Sequence, residues 1–315
     1  MKLSIVTTIY RTEKCIDEFY RRCVAVADRM MMELETVFVN DGSPDDGLRV
    51  ASELAKRDHR VVVVDLSRNF GQFAALWAGI EHATGDFVAI MDGDLDDDPL
   101  WLNEFHNRMI EGGWDVVYGI EQKSQRALFY RTGRRLFYFA LNRLSSAPFP
   151  ENVLNARLMR RRYVNALLEF TEREMYLAGL MHAAGFAQAG VEVTREGRSR
   201  TKYSILKLVR VFVSSVTSFS IRPLLFIFAL GLALSAFAGL YFIVLIYRKL
   251  VDGIDIEGYA SVMGAILLFS GIIIFFNGVI AIYIGTIFLE VKGRPRVLIR
   301  DIIRDGKSQN FTYRK

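Results

Sequence analysis

The sequence predicts an α/β domain on a mainly parallel sheet, followed by a two-helix membrane anchor. Three observations carry that expectation. Strand-like and helix-like stretches alternate through the first 120 residues, the strand-like runs are continuously apolar, and two long uncharged stretches lie near the C-terminus. Alternating β and α segments fold into parallel sheets with right-handed crossovers. Runs such as Val61–Val64 and Phe87–Met91 are apolar without alternation, as strands covered on both faces are.

The strand candidates are Leu3–Ile9, Glu35–Asn40, Val61–Leu66, Phe87–Met91 and Asp115–Tyr118. Helix candidates lie between them, near Glu13–Met32, Asp46–Asp58, Gly71–Ala83 and Leu100–Glu111. Further along, a basic aromatic helix is expected over Arg126–Leu144. A proline-containing turn follows, then helices near Arg161–Phe170 and Met175–Ala184. This part, residues 1–203, is expected to be a globular cytoplasmic domain.

Residues 204–222 predict an amphipathic helix. Ile205, Leu208, Val209, Phe212, Val216 and Phe219 share one face, and Lys207, Arg210 and Ser214 the other. A basic amphipathic helix ahead of a span lies in the membrane interface; an edge helix of the soluble domain is the alternative. Residues 223–289 hold the two uncharged stretches, at about 224–247 and 259–289. Each exceeds the roughly 20 residues a spanning helix needs. Residues 192–222 carry seven Lys/Arg against two acids, and the tail 290–315 carries eight against three. The connection 248–258 has two against three, so both termini are expected in the cytoplasm and the connection outside.

The net charge of +5 comes largely from these juxtamembrane segments, which suits anionic headgroups rather than nucleic acid. Cys15 and Cys23, eight apart on one expected helix, read as free thiols. His59, His82, His106 and His182 show no metal-ligand spacing and read as surface or helix-packing residues.

Three polar clusters follow three expected strands, and ligands of open α/β sheets bind beyond the carboxyl ends of strands. The first is Asp92–Pro99, DGDLDDDP, with five carboxylates in seven residues. Such a cluster needs a cation or solvent to be tolerable. Hard oxygens at i and i+2 of a turn suit Mg²⁺ or Mn²⁺, which can neutralise a departing diphosphate. An acidic loop in solvent is the plainer alternative for this motif alone. The second is Asn40-Asp41-Gly42-Ser43, where Asp41 can accept hydrogen bonds from a base or ribose; an ordinary turn is the alternative. The third is Ser67–Gly71, where Arg68 offers fixed donors for phosphate or for a neighbouring acid.

The set SIVTTIY, VFVNDGSPDDG, LSRNFGQFAALWAGIEHATGDFVAIMDGDLDDDP and DVVYG resembles family 2 glycosyltransferases of the polyprenyl-phosphate branch. That branch includes the dolichyl-phosphate mannose synthases and bactoprenol glucosyltransferases. The resemblance continues through Glu172–Leu180, Gly197–Ser204, Ser218–Leu224 and Glu290–Pro295, covering essentially the whole chain. It implies a GT-A-type, Rossmann-like catalytic domain. Inverting, metal-dependent transfer of a hexose to undecaprenyl or dolichyl phosphate follows at the cytoplasmic face, with a UDP-sugar the leading donor and GDP-mannose behind.

By that resemblance Asp92, Asp94 and Asp96 hold the metal and diphosphate, with Gly93 leaving room between them. Asp41 contacts the nucleobase, and Thr8, Tyr10 and Arg68 line the nucleotide pocket. Arg200 and Lys202 grip phosphates, and Arg126 and Arg131 match acceptor-phosphate arginines; plain positive-inside charge is the alternative for that pair. Four departures from the pattern stand out. Thr8 stands for Pro, Arg11-Thr12 for Asn-Glu, Asp96 for Gln, and Met175 for a frequent Arg.

A fifth departure bears on mechanism, because Asn155 stands where many members carry an Asp proposed as base. An amide takes no proton, but a phosphate acceptor is already an anionic nucleophile that needs positioning more than deprotonation. Two rivals remain. A processive synthase of the same superfamily predicts more spans and a Gln-x-x-Arg-Trp motif that this chain lacks. A catalytically inactive nucleotide-sugar-binding membrane scaffold or sensor draws support from Thr12 and Asn155. Small residues Gly271, Gly278, Ala281 and Gly285 suit helix association, in a dimer or tetramer or between the two spans of one chain.

Overall fold

The computed structural model describes residues 1–121, 153–172, 177–195, 222–251 and 258–310. The described residues form two compact units. One holds 1–121, 153–172, 177–195 and 294–310; the other holds 222–251 and 258–293.

The first unit begins as the alternation dictates, with β1 (Lys2–Ile9), α1 (Ile16–Arg29), β2 (Glu33–Asn40) and α2 (Gly47–Arg57). Next come β3 (Val61–Leu66), α3 (Gln72–His82), β4 (Phe87–Ile90), α4 (Trp101–Gly112) and β5 (Val116–Glu121). Every residue of β3 and β4 is buried, which is why their sequences carry no polar alternation. Helix α1 buries Ile16, Phe19, Tyr20, Cys23, Val26 and Ala27, the three-to-four spacing of one helical face. That face joins Leu3, Ile5, Phe38 and Val63 of the sheet in one core. Cys15 and Cys23 are free thiols. His106 packs edge-on against Phe87 at 5.2 Å, a helix-packing residue as expected.

The sheet is mixed, which corrects the expectation of a mainly parallel one. Its order among the described residues is β7 (Gln188–Val193), β5, β6 (Val153–Arg160), β4, β1, β2, β3, β8 (Ile299–Arg304) and β9 (Lys307–Asn310). Strand β1 pairs in parallel with β2 and β4, as β2 does with β3 and β5 with β7. Strand β6 (Val153–Arg160) runs antiparallel between β4 and β5. The chain continues through α5 (Arg161–Leu168), α6 (Leu177–Ala183) and β7 (Gln188–Val193).

No strand was expected at β6 because Asn155, Arg157 and Arg160 interrupt its apolar run. Arg157 is nonetheless 5% exposed, its Nε donating to the Asn155 carbonyl at 3.0 Å and its Nη2 to the Leu154 carbonyl at 3.1 Å. Carbonyls that the ladder leaves open thus satisfy a buried guanidinium.

No strand was expected in residues 290–315 either. There β8 (Ile299–Arg304) pairs antiparallel with β3, and β9 (Lys307–Asn310) with β8.

The second unit contains α7 (Arg222–Val251) and α8 (Tyr259–Val291). Within α8, Leu268–Val291 is long and apolar enough to cross a membrane, while the apolar stretch of α7 is the shorter Leu224–Ala238. Among the described residues the structure therefore gives one spanning candidate where two were expected. Both helices present large apolar side chains outward, Phe226, Phe228, Ile274 and Phe275 among them. The expected helix at Arg126–Leu144 lies outside the described residues, as does the one expected over 204–222 apart from Arg222, which opens α7.

Candidate active site

Parallel pairing puts the carboxyl ends of β1, β2, β3 and β4 on one edge, so Thr8, Tyr10, Asp41, Arg68, Asp92 and Gly93 gather there. Strand β6 enters from that edge, with Arg157 opposite Ile90, so Asn155 lies just beyond the end of β4. Strand β7 leaves by it, with Val193 opposite Glu121, and Arg195 follows two residues later. Arg126, Arg131, Arg200 and Lys202 lie outside the described residues.

The acidic turn is the centre of this edge. Asp92 Oδ1 accepts from Gln72 Nε2 at 2.9 Å and from Asn155 Nδ2 at 3.5 Å. Its Oδ2 accepts from Arg195 Nη2 at 3.1 Å. The same guanidinium holds Asp97, with Nη2 at 2.7 Å and Nε at 2.9 Å from Oδ1. Asp97 is fully buried and its Oδ2 accepts the Asp92 amide at 3.4 Å. Leu95 sits in the left-handed region at φ 66°, a conformation that branched residues rarely take, and Asp94 Oδ1 accepts the Asp96 amide at 3.1 Å. Asp94 is exposed.

The charges answer one another. Burial, then the Asp92 charge, pushes the Asp97 carboxyl up to about 7 against the pull of Arg195. Burial likewise raises Asp92, with Asp94 adding to it and Arg195 and Asn155 opposing. Asp96 is raised by burial and by Asp94. Burial acts against the charge of Arg195, but Asp97 and Asp92 more than offset it.

The loops after β2 and β3 form one hydrogen-bonded body. Asp41 is 2% exposed and its carboxylate accepts the amides of Phe70 at 2.7 Å and Gly71 at 3.0 Å, while Asn69 Nδ2 donates to its carbonyl at 3.0 Å. Burial raises the Asp41 carboxyl while those amides lower it. Gly42 has φ +61°, and a Cβ there would stand 2.6 Å from the Asn69 nitrogen, so glycine lets the two loops meet. Arg68 lies 4.2 Å over the Phe70 ring and donates to the Asn69 carbonyl. Tyr10 is 43% exposed, with Arg11 at 5.5 Å over its ring. Gly93 faces Thr7 and Thr8 so closely that a Cβ would sit 2.7 Å from Thr7 Oγ1.

Among the described residues no group of three or more His, Cys, Asp or Glu is arranged to hold a metal ion. The expected set of Asp92, Asp94 and Asp96 shares one turn without closing into a cage. Hard cations such as Mg²⁺ are commonly held by one or two carboxylates plus substrate phosphates. Exposed Asp94 and nearby Asp92, both oxygen donors, fit that arrangement.

Three contributors were missed from the sequence. Arg195 follows β7, a strand not expected, and its place at the edge depends on that strand. The alternating QAGVEV of Gln188–Val193 was the available signal. Gln72 and Asp97 stood inside quoted motifs without a role.

Residues 4–168 match the family model described as glycosyl transferase family 2. A relative described as "Putative glycosyltransferases" from Mycobacterium tuberculosis (strain CDC 1551 / Oshkosh) is 40% identical, over 96% of this chain and 88% of its own length. The bactoprenol glucosyl transferase of Shigella phage SfX is 35% identical, over 95% of this chain and 99% of its own. The prophage bactoprenol glucosyl transferase homolog of Escherichia coli (strain K12) is 33% identical, over 96% and 99%. Among solved structures, glucosyl-3-phosphoglycerate synthase from Mycobacterium tuberculosis, with Mn²⁺, UDP-glucose and phosphoglyceric acid, is 20% identical. It covers 69% of this chain and 79% of its own with a TM-score of 0.49.

Proposed function

The chain belongs to glycosyl transferase family 2, and we propose that it moves a hexose from a nucleotide sugar, a UDP-sugar foremost, onto polyprenyl phosphate. Transfer takes place at the cytoplasmic face of the plasma membrane. The observation that carries the proposal is the convergence of Gln72, Asn155 and Arg195 on Asp92, beside exposed Asp94. The names of relatives aligned along nearly the whole chain support the lipid acceptor.

The residues divide the work. Asp94 and Asp92 would hold a Mg²⁺ or Mn²⁺ ion, which when bound supplies positive charge for the departing diphosphate. Gln72 and Asn155 fix the Asp92 carboxylate by donating to one oxygen, leaving the turn preorganised. The loops bearing Asp41 and Arg68 receive the nucleoside end, and Tyr10 flanks it. Arg200 and Lys202 for the donor, and Arg126 and Arg131 for the acceptor, remain the proposed phosphate-gripping groups. Asn155 Nδ2 is a donor and takes no proton, so an acceptor that arrives as a phosphate anion suits this site. Direct in-line attack by that anion inverts the anomeric centre, turning an α-linked donor into a β-linked product.

Helices α7 and α8 are proposed as a two-span anchor with both chain ends in the cytoplasm, supported by their length and outward apolar side chains. Anchoring confines the domain to the surface that carries its acceptor, raising effective concentration without added contacts. The open flanks of Gly271, Gly278 and Gly285 support a dimer or tetramer through α8.

The test is a purified-protein assay with a panel of UDP-sugars and GDP-mannose, Mn²⁺ and a short polyprenyl phosphate, read by mass spectrometry of the lipid. Product with one donor, abolished in Asp94→Ala, is expected; no product and no donor binding overturns the proposal. Asn155 favours a second function, an inactive nucleotide-sugar-binding scaffold. Tight donor binding without turnover identifies that case.

A further inference from the structure

We propose that Arg300, on the strand that returns after α8, is a positioning residue for the nucleotide end of the donor. This rests on the assignment of the loops after β2 and β3 to the nucleotide. Strand β8 runs antiparallel to β3 with Ile299 opposite Leu66, which brings Arg300 to the ligand edge of the sheet. There its Nη2 donates to the Ser67 carbonyl at 2.8 Å and its Nη1 lies 3.3 Å from Asp65 Oδ2. Asp65 is 3% exposed, and its other oxygen accepts from Asn40 Nδ2 at 2.7 Å. Asn40 Oδ1 in turn accepts the Ser43 amide at 3.0 Å.

One continuous relay therefore runs from Arg300 through Asp65 and Asn40 to Ser43, with a branch to Ser67. It joins the two loops, which also meet directly where Gly42 lies against Asn69. The same return segment is fastened a second time. Arg296 stacks 4.2 Å over the Trp77 ring of α3, and its Nε and Nη2 donate to the carbonyls of Glu172 and Phe170. Helix α3 begins at Gln72, the residue that holds Asp92.

Energetics separates positioning from stabilisation. The Arg300 side chain is 60% exposed although Asp65 is buried, so water takes over part of what the ion pair contributes to stability. Fixing the Ser67 carbonyl, one residue before Arg68, instead sets the conformation a bound nucleotide meets. When Arg300 is lost, Asp65 Oδ1 keeps the Asn40 donor and Asn40 keeps the Ser43 amide, while Asp65 Oδ2 and the Ser67 carbonyl lose the arginine, so the loops loosen.

The experiment uses the full-length protein in detergent, with UDP and GDP as titrants and donor and lipid kinetics alongside. Arg300→Ala is expected to raise donor KM and weaken nucleotide binding about tenfold, with lipid KM and kcat within about twofold. Arg300→Lys, which keeps a charge for Asp65, should recover part of the loss. Arg304→Ala, on the same strand but opposite Val62, should leave donor KM unchanged. Unaltered nucleotide affinity in Arg300→Ala overturns this proposal alone. Equal losses for donor and lipid together with a lowered melting temperature also overturn it, in favour of a merely structural arginine. Wild-type protein that binds neither nucleotide overturns it together with the proposed function.

Discussion

Replacing Arg195 by alanine removes the cation that Asp97 and Asp92 share. Asp97 is fully buried, and the Asp92 and Arg195 side chains are 18% and 26% exposed, so little water is at hand to screen what is left behind. Breaking a buried pair by deleting one partner costs about 3–5 kcal/mol, because an uncompensated charge remains. Two features reduce that figure here: Arg195 is partly solvated, and Asp97, already pushed up to about 7, can escape its charge by taking a proton. About 3 kcal/mol is expected at pH 8, where that proton is scarce, which lowers the melting temperature by roughly 6–12 °C for a domain of this size.

The assay is thermal unfolding of the detergent-solubilised protein at pH 8 and pH 6, with and without Mn²⁺. The loss should shrink at pH 6, where Asp97 is protonated. It should also shrink in Arg195→Ala/Asp97→Asn, which has no orphaned charge at that position. Mn²⁺ should raise the melting temperature of Arg195→Ala more than that of wild type, by supplying positive charge to the same turn. A shift below about 2 °C at pH 8, or a double variant no more stable than the single one, would falsify the shared-cation account.

Gly93→Ala places a Cβ 2.7 Å from Thr7 Oγ1 and 3.1 Å from the Thr8 carbonyl, so the acidic turn must shift. Turnover is expected to fall about a hundredfold, since a displacement of order 1 Å costs that much; kinetics at saturating donor checks it. Glu35 accepts from Ser4, the Thr84 amide and hydroxyl, and Lys2; burial works to raise its carboxyl, but these donors hold it below the ordinary 4.5. A depressed carboxyl contributes its stability above the unfolded value and loses it as pH falls through the folded one. Glu35→Gln should therefore cost about 2–3 kcal/mol at pH 7, and the gap to wild type should narrow below pH 4.5 in melts across that range. Asn155→Asp sets a second carboxylate 3.5 Å from Asp92 in place of a donor. A lower melting temperature without Mn²⁺, recovered on adding it, is the expected result.

The extent to which this fold was legible in the sequence follows from what each strand is paired with. Strands β1 to β5 are flanked by helices, so burial on both faces wrote continuous apolar runs into Val61–Val64 and Phe87–Ile90. Their ends, and with them Asp41, Arg68 and Asp92, could be placed from the sequence. Strand β6 escaped because Arg157 and Asn155 are tolerated there only through partners distant in sequence or supplied by the backbone: the open carbonyls beside Arg157, and Asp92 for Asn155. Strands β8 and β9 escaped because a sequence of alternating charge after an apolar helix, such as IRDIIR, has the composition of a solvated tail. Only the edge left open by β3 makes it a strand.

The same dependence governs the site. A carboxylate run declares itself locally, since five acids within one turn need a counter-charge wherever the chain goes. The answering charge does not. Arg195 lies 98 residues from Asp97 and sits in a basic stretch whose seven cations look alike on charge count alone. It is singled out by β7, which pairs with β5 and aims the following loop at the acidic turn. Asn155, read as a departure from a pattern, gains a physical role by the same route. A donor beside Asp92 lowers the cost of assembling that carboxylate before any cation arrives, whereas an aspartate there would raise it.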